Sequence, residues 1–93
     1  MIRAFADKRT ELVFGGESPK GFPSSILKAA RRKLKMVDAA VVLTDLRVPP
    51  GNQLEALAGD RRGQHSIRIN DQWRICFVWT QEGPTDVEVV DYH

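Results

Sequence analysis

The spacing of hydrophobic residues changes once along this chain, and that change restricts the fold more than any other feature of the sequence. Between residues 23 and 40, apolar side chains recur every three or four positions, whereas after Asn52 they alternate with polar ones. The first spacing is typical of a helix with one buried face, and the second of strands with one buried face. The sequence therefore predicts an α+β fold, in which N-terminal helices pack on one face of a curled antiparallel sheet.

Two short elements are predicted near the N-terminus. Residues 1–5 alternate apolar and polar side chains, which favours a first or edge strand. Residues 7–14 are predicted to form a short helix, because Asp7 can cap its first turn and Gly15 and Gly16 can end it.

A longer helix is predicted from about residue 23 to residue 40. Pro23 suits its first turn, and Pro49-Pro50 ends helical structure because proline cannot donate to the helix ladder. Residues 41–46 can add a further short helical turn. One apolar stripe is predicted to face the core, namely Ile26, Ala30, Leu34, Val37 and Val41. The opposite face, here called the basic helix face, contains Lys28, Arg31, Arg32 and Lys35.

The second half of the chain is predicted to form an antiparallel meander. A short strand at 54–57 and a turn at 58–63 precede two longer strands, which Asn70-Asp71 joins in a tight turn. A second hairpin turn at 81–84 leads to a last strand that runs to the end. The apolar face of the two longer strands is predicted to contain His65, Ile67, Ile69, Trp73, Ile75, Phe77 and Trp79. The other face is predicted to contain Gln64, Ser66, Arg68, Asn70, Arg74, Cys76 and Val78.

Ninety-three residues allow one domain, residues 1–93, and the composition excludes several classes of protein. The single cysteine, Cys76, can form no disulfide within the chain and excludes zinc motifs that need paired cysteines. No stretch reaches the roughly 20 apolar residues of a membrane span. The N-terminus lacks the pattern of a signal peptide, so we expect a cytoplasmic protein without a membrane partner.

The net charge of +2 hides an uneven distribution along the chain. Residues 20–74 contain eleven basic and five acidic side chains, whereas residues 75–93 contain no basic and four acidic ones. A basic middle segment is typical of a surface that binds a polyanion. An unevenly charged but merely solvated surface explains the same counts, and composition does not choose between the two.

Polar side chains of the predicted sheet can converge on one surface. Antiparallel neighbours can bring Arg68 and Arg74 close to the terminal tripeptide at 91–93. Cleavage of a phosphodiester bond by a ribose 2′-hydroxyl needs a base, a proton donor for the leaving oxygen and cations beside the phosphate. Carboxylate, phenol and imidazole groups suit the first two tasks, and arginine suits the third. Such a tripeptide also recurs by chance, so these residues alone leave a structural role open.

Several motifs occur together in the order and spacing of a known family. They are Leu57-x-Gly59-Asp60-Arg61, Ser66-Ile67-Arg68, Trp73-Arg74-Ile75 and the terminal Asp91-Tyr92-His93. With these motifs the chain resembles the RelE/HigB superfamily of bacterial type II toxins, and most closely its HigB branch. The resemblance covers nearly the whole chain, from the opening MIRAF through the basic helix to the last strand.

The resemblance implies a RelE-like fold and the activity of an mRNA interferase. Such a toxin is a ribosome-dependent endoribonuclease that cuts codons in the decoding A site by metal-independent 2′-hydroxyl attack and so inhibits translation. The implied partners are a cognate helix-turn-helix antitoxin, the ribosome and mRNA, with operator DNA bound only through the toxin–antitoxin complex. The resemblance implies no metal or other cofactor, and the sequence has no His, Cys and carboxylate cluster with ligand spacing.

The resemblance also assigns roles to individual residues. His93 is the acid or base candidate, Tyr92 a proton donor or stacking group, and Asp91 a base or a group that orients His93. Arg74 matches an arginine that supports the scissile phosphate, with a salt bridge inside the sheet as the alternative. Arg68 matches a phosphate-binding arginine of many RelE relatives, at a position where the HigB branch varies.

Glu55 departs from the pattern of the family. Some HigB relatives have an active-site histidine at this position, and a carboxylate can serve as a base but not as a cation beside phosphate. A catalytic and a purely structural Glu55 are both compatible with the sequence. This departure keeps a second function open, namely a non-catalytic translation regulator that binds RNA or the ribosome.

Basic groups outside the predicted sheet are candidates for contact with ribosomal RNA. They are Arg61 and Arg62 in the turn at 58–63, together with the basic helix face. An ordinary solvated surface is the alternative for both sets. The alternation of its strand places His65 on the apolar face, so we expect it to be packed and hydrogen-bonded there rather than catalytic.

Overall fold

A computed structural model of the chain describes residues 1–92. Within that part the helices are α1 (Lys8–Phe14) and α2 (Leu27–Ala39), and the strands are β1 (Glu55–Ala56), β2 (His65–Arg68), β3 (Trp73–Thr80) and β4 (Gly83–Asp91). Short 3-10 turns lie at Ser24–Ile26, Leu43–Arg47, Pro50–Asn52 and Gly59–Arg61. The strands form one antiparallel sheet in the order β1-β2-β3-β4. The predicted α+β fold, with helices packed on a sheet, is confirmed.

The short helix α1 begins and ends at the predicted residues. Asp7 Oδ1 accepts a 2.7 Å hydrogen bond from Thr10 N, and Gly15 follows the last helical residue. A helix of seven residues is marginal on its own, so it depends on packing. Thr10 Oγ1 accepts a 3.0 Å hydrogen bond from Val89 N, which attaches α1 to β4.

The longer helix α2 differs from its prediction at both ends. Pro23 precedes a 3-10 turn rather than the α-helix itself, and the helix ends at Ala39. Val41 therefore lies beyond the helix and is 84% exposed, so its predicted place in the apolar stripe is wrong. Lys33, which was not predicted to be buried, lies in the core beside the stripe. The other members of the stripe are buried as predicted, namely Ile26, Ala30, Leu34 and Val37.

The N-terminal segment is not the strand predicted at residues 1–5. Phe5 forms an isolated parallel bridge to Val87, and backbone hydrogen bonds of 2.8–3.1 Å join Arg3 N, Ala4 O and Ala6 N to β4, but the pairing is too short to form a strand. The approach is close, since a Cβ atom on Gly83 would lie 2.6 Å from Met1 O. A glycine is therefore required where the N-terminus crosses the start of β4.

The connections between the strands are shorter or differently built than predicted. β1 contains only two of the four residues predicted at 54–57. The second hairpin turn contains residues 81–82 instead of 81–84, since β4 begins at Gly83. The turn at Asn70 lies where it was predicted, but it needs no positive φ at that residue. Instead Asn70 Oδ1 accepts hydrogen bonds of 2.8 Å from the backbone N–H groups of residues 72 and 73. The side chain therefore stabilises this turn.

A β-bulge in β4 was not predicted. Cys76 pairs with Glu88 and Val78 pairs with Thr85, so β4 contains one more residue than β3 between these pairs. Asp86 has a φ of 51° and lies between the two pairs. A bulge of this kind reverses the alternation of the strand. After it, the odd-numbered residues of β4 face the helices and the even-numbered residues face away.

The two faces of the sheet have different environments. On the helix side, Ile67, Ile75, Phe77 and Val87 are fully buried in the core. The His65 ring stacks on Phe77 with ring centroids 6.4 Å apart, as its predicted packing requires. Its Nδ1 is buried and has no hydrogen-bond partner among the described residues, so the predicted hydrogen bonding is not found at this atom. The side of the sheet away from the helices, here called the open face, contains Glu55, Ser66, Arg68, Arg74, Cys76, Glu88 and Tyr92.

Candidate functional site

A cleft of about 390 Å³ lies on the open face of the sheet. Strand pairing explains its position, because Arg68 of β2 is the register partner of Arg74 of β3. The cleft brings together four of the predicted catalytic residues, namely Glu55, Arg68, Arg74 and Tyr92. Its other lining residues are Gln53, Asn70 and Asp71.

Arg74 is held from two directions. Its Nε donates a 2.7 Å hydrogen bond to Ser66 Oγ, and its Nη2 donates a 2.6 Å hydrogen bond to Gln53 O. The residue is only 8% exposed although its guanidinium is charged. A guanidinium that is already fixed loses little further conformational freedom when it binds an anion. Arg74 is therefore preorganised to bind an anion in the cleft.

Tyr92 lies beside this guanidinium at the end of the last strand. Its ring centroid is 6.0 Å from Arg74 Cζ, within the range of a cation–π contact. Tyr92 N donates a 2.7 Å hydrogen bond to Gln72 O, which fixes the backbone at this point. The ring is exposed, so a ligand in the cleft can contact it.

Each arginine of the cleft has a carboxylate near it. Glu55 Oε1 lies 3.7 Å from Arg74 Nη2, and Asp71 Oδ1 accepts a hydrogen bond from Arg68 Nη2. Both carboxylate side chains are at least half exposed. Asp71 is almost fully exposed, so its ion pair with Arg68 contributes little, about 0–1 kcal/mol, and an anion can displace this carboxylate.

The first two residues of the C-terminal tripeptide lie on opposite sides of β4. Asp91 is the register partner of Trp73, on the side opposite Tyr92, and its Oδ2 accepts a 3.1 Å hydrogen bond from Gln72 Nε2. The structure therefore does not bring Asp91 into the lining of the cleft. His93 lies outside the described residues, and its role stays a prediction.

Arg61 occupies the neighbouring part of the open face. Its Nη1 donates hydrogen bonds of 2.9 Å to Glu88 Oε1 and 3.0 Å to Gln64 Oε1. The bond to Glu88 raises the pKa of the Arg61 guanidinium. Arg61 thus attaches the turn at 59–61 to β4, while Arg62 is exposed. Cys76, the register partner of Glu88, is buried in the sheet, and this burial raises the pKa of its thiol.

The basic helix face is exposed at three of its four positions. Arg31 is the exception, because it donates hydrogen bonds of 3.2 Å to Val13 O and 2.7 Å to Glu17 O. Its guanidinium therefore holds the end of α1 against α2 as well as adding charge. A shallow depression of about 360 Å³ is lined by Lys28, Arg31, Arg32 and Lys35.

Two buried polar residues were missed by the sequence analysis. Lys33 Nζ donates a hydrogen bond to Asn52 Oδ1, and both side chains lie in the interior. No local pattern reveals this pair, because Lys33 lies within a run of surface cations and its partner is 19 positions away in sequence. Burial lowers the pKa of Lys33, and the charges of Arg32 and Arg68 lower it further.

Metal and membrane features can be examined for the same part of the chain. Among residues 1–92, no three His, Cys, Asp or Glu side chains are grouped as metal ligands. No helix in this range has the length and apolar character needed to cross a bilayer. The prediction of a metal-independent reaction stays a prediction.

Comparisons with known proteins identify the family. The profile of a family described as RelE-like toxin of type II toxin–antitoxin system HigB matches residues 3–93. Toxin HigB-1 of Vibrio cholerae is 47% identical over 80 residues, which is 85% of this chain and 84% of that protein. Endoribonuclease HigB of Proteus vulgaris is 29% identical over 93 residues, which is 100% of both chains. The resemblance found in the motifs is confirmed, and the chain belongs to the HigB-like family of RelE-like toxins from type II toxin–antitoxin systems.

Proposed function

We propose that this toxin is a ribosome-dependent endoribonuclease that cuts mRNA in the decoding A site and thereby inhibits translation. The observation that carries the proposal is Arg74, which is fixed by Ser66 and Gln53 and lies beside Tyr92 in an open cleft. The name of the Proteus vulgaris relative, an endoribonuclease that aligns over its full length, supports the same class of reaction.

In this proposal Arg74 and Arg68 bind the scissile phosphate. They are register partners on adjacent strands and both line the cleft. Negative charge increases on the phosphate oxygens in the transition state, and guanidinium groups held beside them stabilise that charge. Asp71 and Glu55 are displaced from the arginines as the phosphate enters.

Glu55, Tyr92 and His93 supply the proton transfers of the proposed reaction. Glu55 removes the proton of the 2′-hydroxyl, whose oxygen then forms a bond to phosphorus. The bond from phosphorus to the 5′-oxygen breaks, and Tyr92 or His93 donates a proton to that leaving oxygen. The products are a 2′,3′-cyclic phosphate and a free 5′-hydroxyl, and the reaction needs no metal. In this proposal Asp91 orients His93 rather than contacting the substrate, since Asp91 lies on the other side of β4 from Tyr92 and outside the cleft.

The ribosome holds the message while the toxin cuts it. The cleft is open and shallow, so by itself it fixes few of the torsion angles of a flexible RNA. The basic helix face and Arg62 supply exposed cations for the backbone of ribosomal RNA. A cognate helix-turn-helix antitoxin blocks the toxin, and operator DNA is bound through the complex of the two.

Primer extension on programmed ribosomes tests this function. We expect new cuts in the A-site codon with wild-type toxin and ribosomes, and no cuts in the same RNA without ribosomes. Arg74→Met should abolish or strongly reduce the cuts, and so should Tyr92→Phe combined with His93→Ala, which removes both proposed proton donors. Lys20→Met, at an exposed lysine outside the cleft, should not. Cleavage that survives Arg74→Met, or equal cleavage of free RNA, would contradict the proposal.

A non-catalytic translation regulator is the second candidate. The carboxylates of Glu55 and Asp71 favour it, because they reduce the positive charge of the cleft beside both arginines. This candidate predicts inhibition of translation without any new 5′ end on the message. It also predicts that inhibition persists when Tyr92→Phe is combined with His93→Ala.

A further inference from the structure

One connected path contains nearly all of the polar side chains that are buried in residues 1–92. The buried polar residues are Thr10, Lys33, Asn52, Ser66 and Arg74. Thr10 belongs to the contact between α1 and β4. The other four form a path that starts inside α2 and ends at the guanidinium of the cleft. Such groups are costly to bury, so a connected set of them at one site calls for a specific reason.

The path begins at the Lys33–Asn52 pair. Lys33 is 7% exposed and Asn52 is fully buried, and Lys33 Nζ donates to Asn52 Oδ1. The amide of Asn52 is used on its other side as well, since Nδ2 donates a 3.1 Å hydrogen bond to Leu46 O. Asn52 N also donates a 2.9 Å hydrogen bond to Pro49 O. The side chain and the backbone of Asn52 are therefore both fixed.

Gln53, the next residue, connects the fixed Asn52 to the cleft. Gln53 has a φ of 46°, a left-handed conformation that is uncommon for residues other than glycine. Its N–H donates a 3.1 Å hydrogen bond to Pro50 O. This conformation directs the Gln53 carbonyl towards Arg74 Nη2, at 2.6 Å. A strained backbone persists only where its surroundings hold it, and Asn52 is the fixed neighbour.

The charge of Lys33 also acts on the cleft. Arg68 is among the charges that lower the pKa of Lys33, so the two cations are close enough to interact. Lys33 thus lies inside the protein, at the start of the path in α2, and its charge interacts with that of Arg68 in the lining of the cleft.

We propose that Lys33 and Asn52 are positioning residues for Arg74. The Lys33–Asn52 pair holds the segment at 50–53 in place, and the Gln53 carbonyl then fixes the guanidinium at the position where it meets the phosphate. Neither residue touches the substrate. This inference rests on the proposed function, and it names the interior support of the same site.

Kinetics in a mutant cycle test the inference. Lys33→Met keeps the length of the aliphatic chain and removes the ammonium group. We expect the single-turnover rate of A-site cleavage to decrease about 100-fold, as for a misplacement of about 1 Å, with little change in the affinity for ribosomes. In the Arg74→Lys background the same change should have little further effect, because its effect passes through the guanidinium. An equal decrease in both backgrounds would overturn the proposal.

Thr10→Val is the matched control for lost stability. It also removes a buried hydrogen bond, the one that Thr10 Oγ1 accepts from Val89 N, but it lies outside the path. We expect it to lower the melting temperature and to leave the cleavage rate within about twofold. If Lys33→Met fails to fold, Lys33→Met/Asn52→Leu is used instead, since replacing both partners by apolar groups leaves no unpaired donor between them. A rate equal to wild type in a folded variant would overturn the proposal.

A measurement without any RNA separates this inference from the proposed function. The Arg74 Nη2–H proton that is donated to Gln53 O exchanges with water, and this exchange can be followed by NMR in the isolated toxin. We expect Lys33→Met to accelerate this exchange at least tenfold and Thr10→Val to leave it unchanged. Unchanged exchange in Lys33→Met would overturn the positioning role, whereas a wild-type toxin that cuts nothing on ribosomes would overturn only the proposed function.

Discussion

Arg74 Nε donates a 2.7 Å hydrogen bond to Ser66 Oγ between β3 and β2, and both side chains are at least nine-tenths buried. The two residues are diagonal neighbours, because Ser66 pairs directly with Cys76. The hydroxyl is a neutral acceptor, as is the Gln53 carbonyl on the other side of the guanidinium. The two hydrogen bonds that hold Arg74 in place therefore do not neutralise its charge, and Glu55, at 3.7 Å, is the carboxylate that partly offsets it.

Ser66→Ala should destabilise the toxin and slow cleavage. The change leaves a buried charged donor without its acceptor, and hydrogen bonds to charged groups contribute about 1.5–3 kcal/mol. Urea unfolding measures the free energy of unfolding, and Ser18→Ala in an exposed loop is the matched control, with an expected change within about 0.5 kcal/mol. Equal stability of Ser66→Ala and wild type would show that Ser66 does not support Arg74.

Glu55→Gln should reduce cleavage without a matching loss of stability. The substitution removes the proposed base, whose contribution is about 10²–10⁴-fold in rate. The ion pair with Arg74 is half exposed on the side of Glu55, so the free energy of unfolding should change by less than about 1 kcal/mol. Glu82→Gln, in the exposed turn before β4, controls for the loss of one negative charge. Wild-type cleavage by Glu55→Gln would assign Glu55 a structural role.

Val37→Ala and Val41→Ala should differ in their effect on stability. Val37 is fully buried in α2, and removing two methyl groups there should cost about 2 kcal/mol in free energy of unfolding. Val41 is exposed beyond the end of the helix, and its change should stay within about 0.5 kcal/mol. Equal losses at the two positions, measured by urea unfolding, would place Val41 in the core after all.

Asp45→Ala should reduce stability at neutral pH but not in acid. Hydrogen bonds from Val41 N and Val42 N lower the pKa of Asp45 below its ordinary value of 3.8. The carboxylate therefore contributes stability that is fully present above this value and is lost as the pH falls through the lower pKa of the folded state. The melting temperatures of Asp45→Ala and wild type should differ at pH 7 and converge between about pH 4 and pH 2. Asp60→Ala controls for the loss of one exposed carboxylate, and a difference independent of pH would contradict the assignment.

The sequence was sufficient for the parts of the fold that depend on neighbours along the chain. Alternation placed Ser66, Arg68 and Arg74 on one face of adjacent strands, and the structure has them there. The cap at Asp7 and the end of α1 at Gly15 also follow from local chemistry. These features depend only on the alternation of side chains along a strand, or on the unpaired backbone N–H and C=O groups at the ends of a helix.

Features that depend on distant partners could not be predicted in this way. Lys33 can be buried because Asn52, in a different segment, accepts a hydrogen bond from its ammonium group. Nothing within α2 distinguishes Lys33 from the surface lysines. Arg61 was interpreted as a free surface cation, but Glu88 pairs with it from a strand 27 positions away. Asp91 and Tyr92 are a different case, because strand alternation alone places them on opposite sides of β4. The family resemblance assigned both to one site because they are adjacent in the sequence.

The bulge at Asp86 has a consequence for how this protein can change over generations. One extra residue in β4 decides that Tyr92 faces the cleft and that Val89 faces the helices. Loss or gain of a single codon between Thr85 and Val89 would exchange these two environments, and only a second, compensating length change would restore them. We therefore expect natural variants of this toxin to tolerate substitutions in the last strand far better than changes in its length, or to accept such length changes only in pairs.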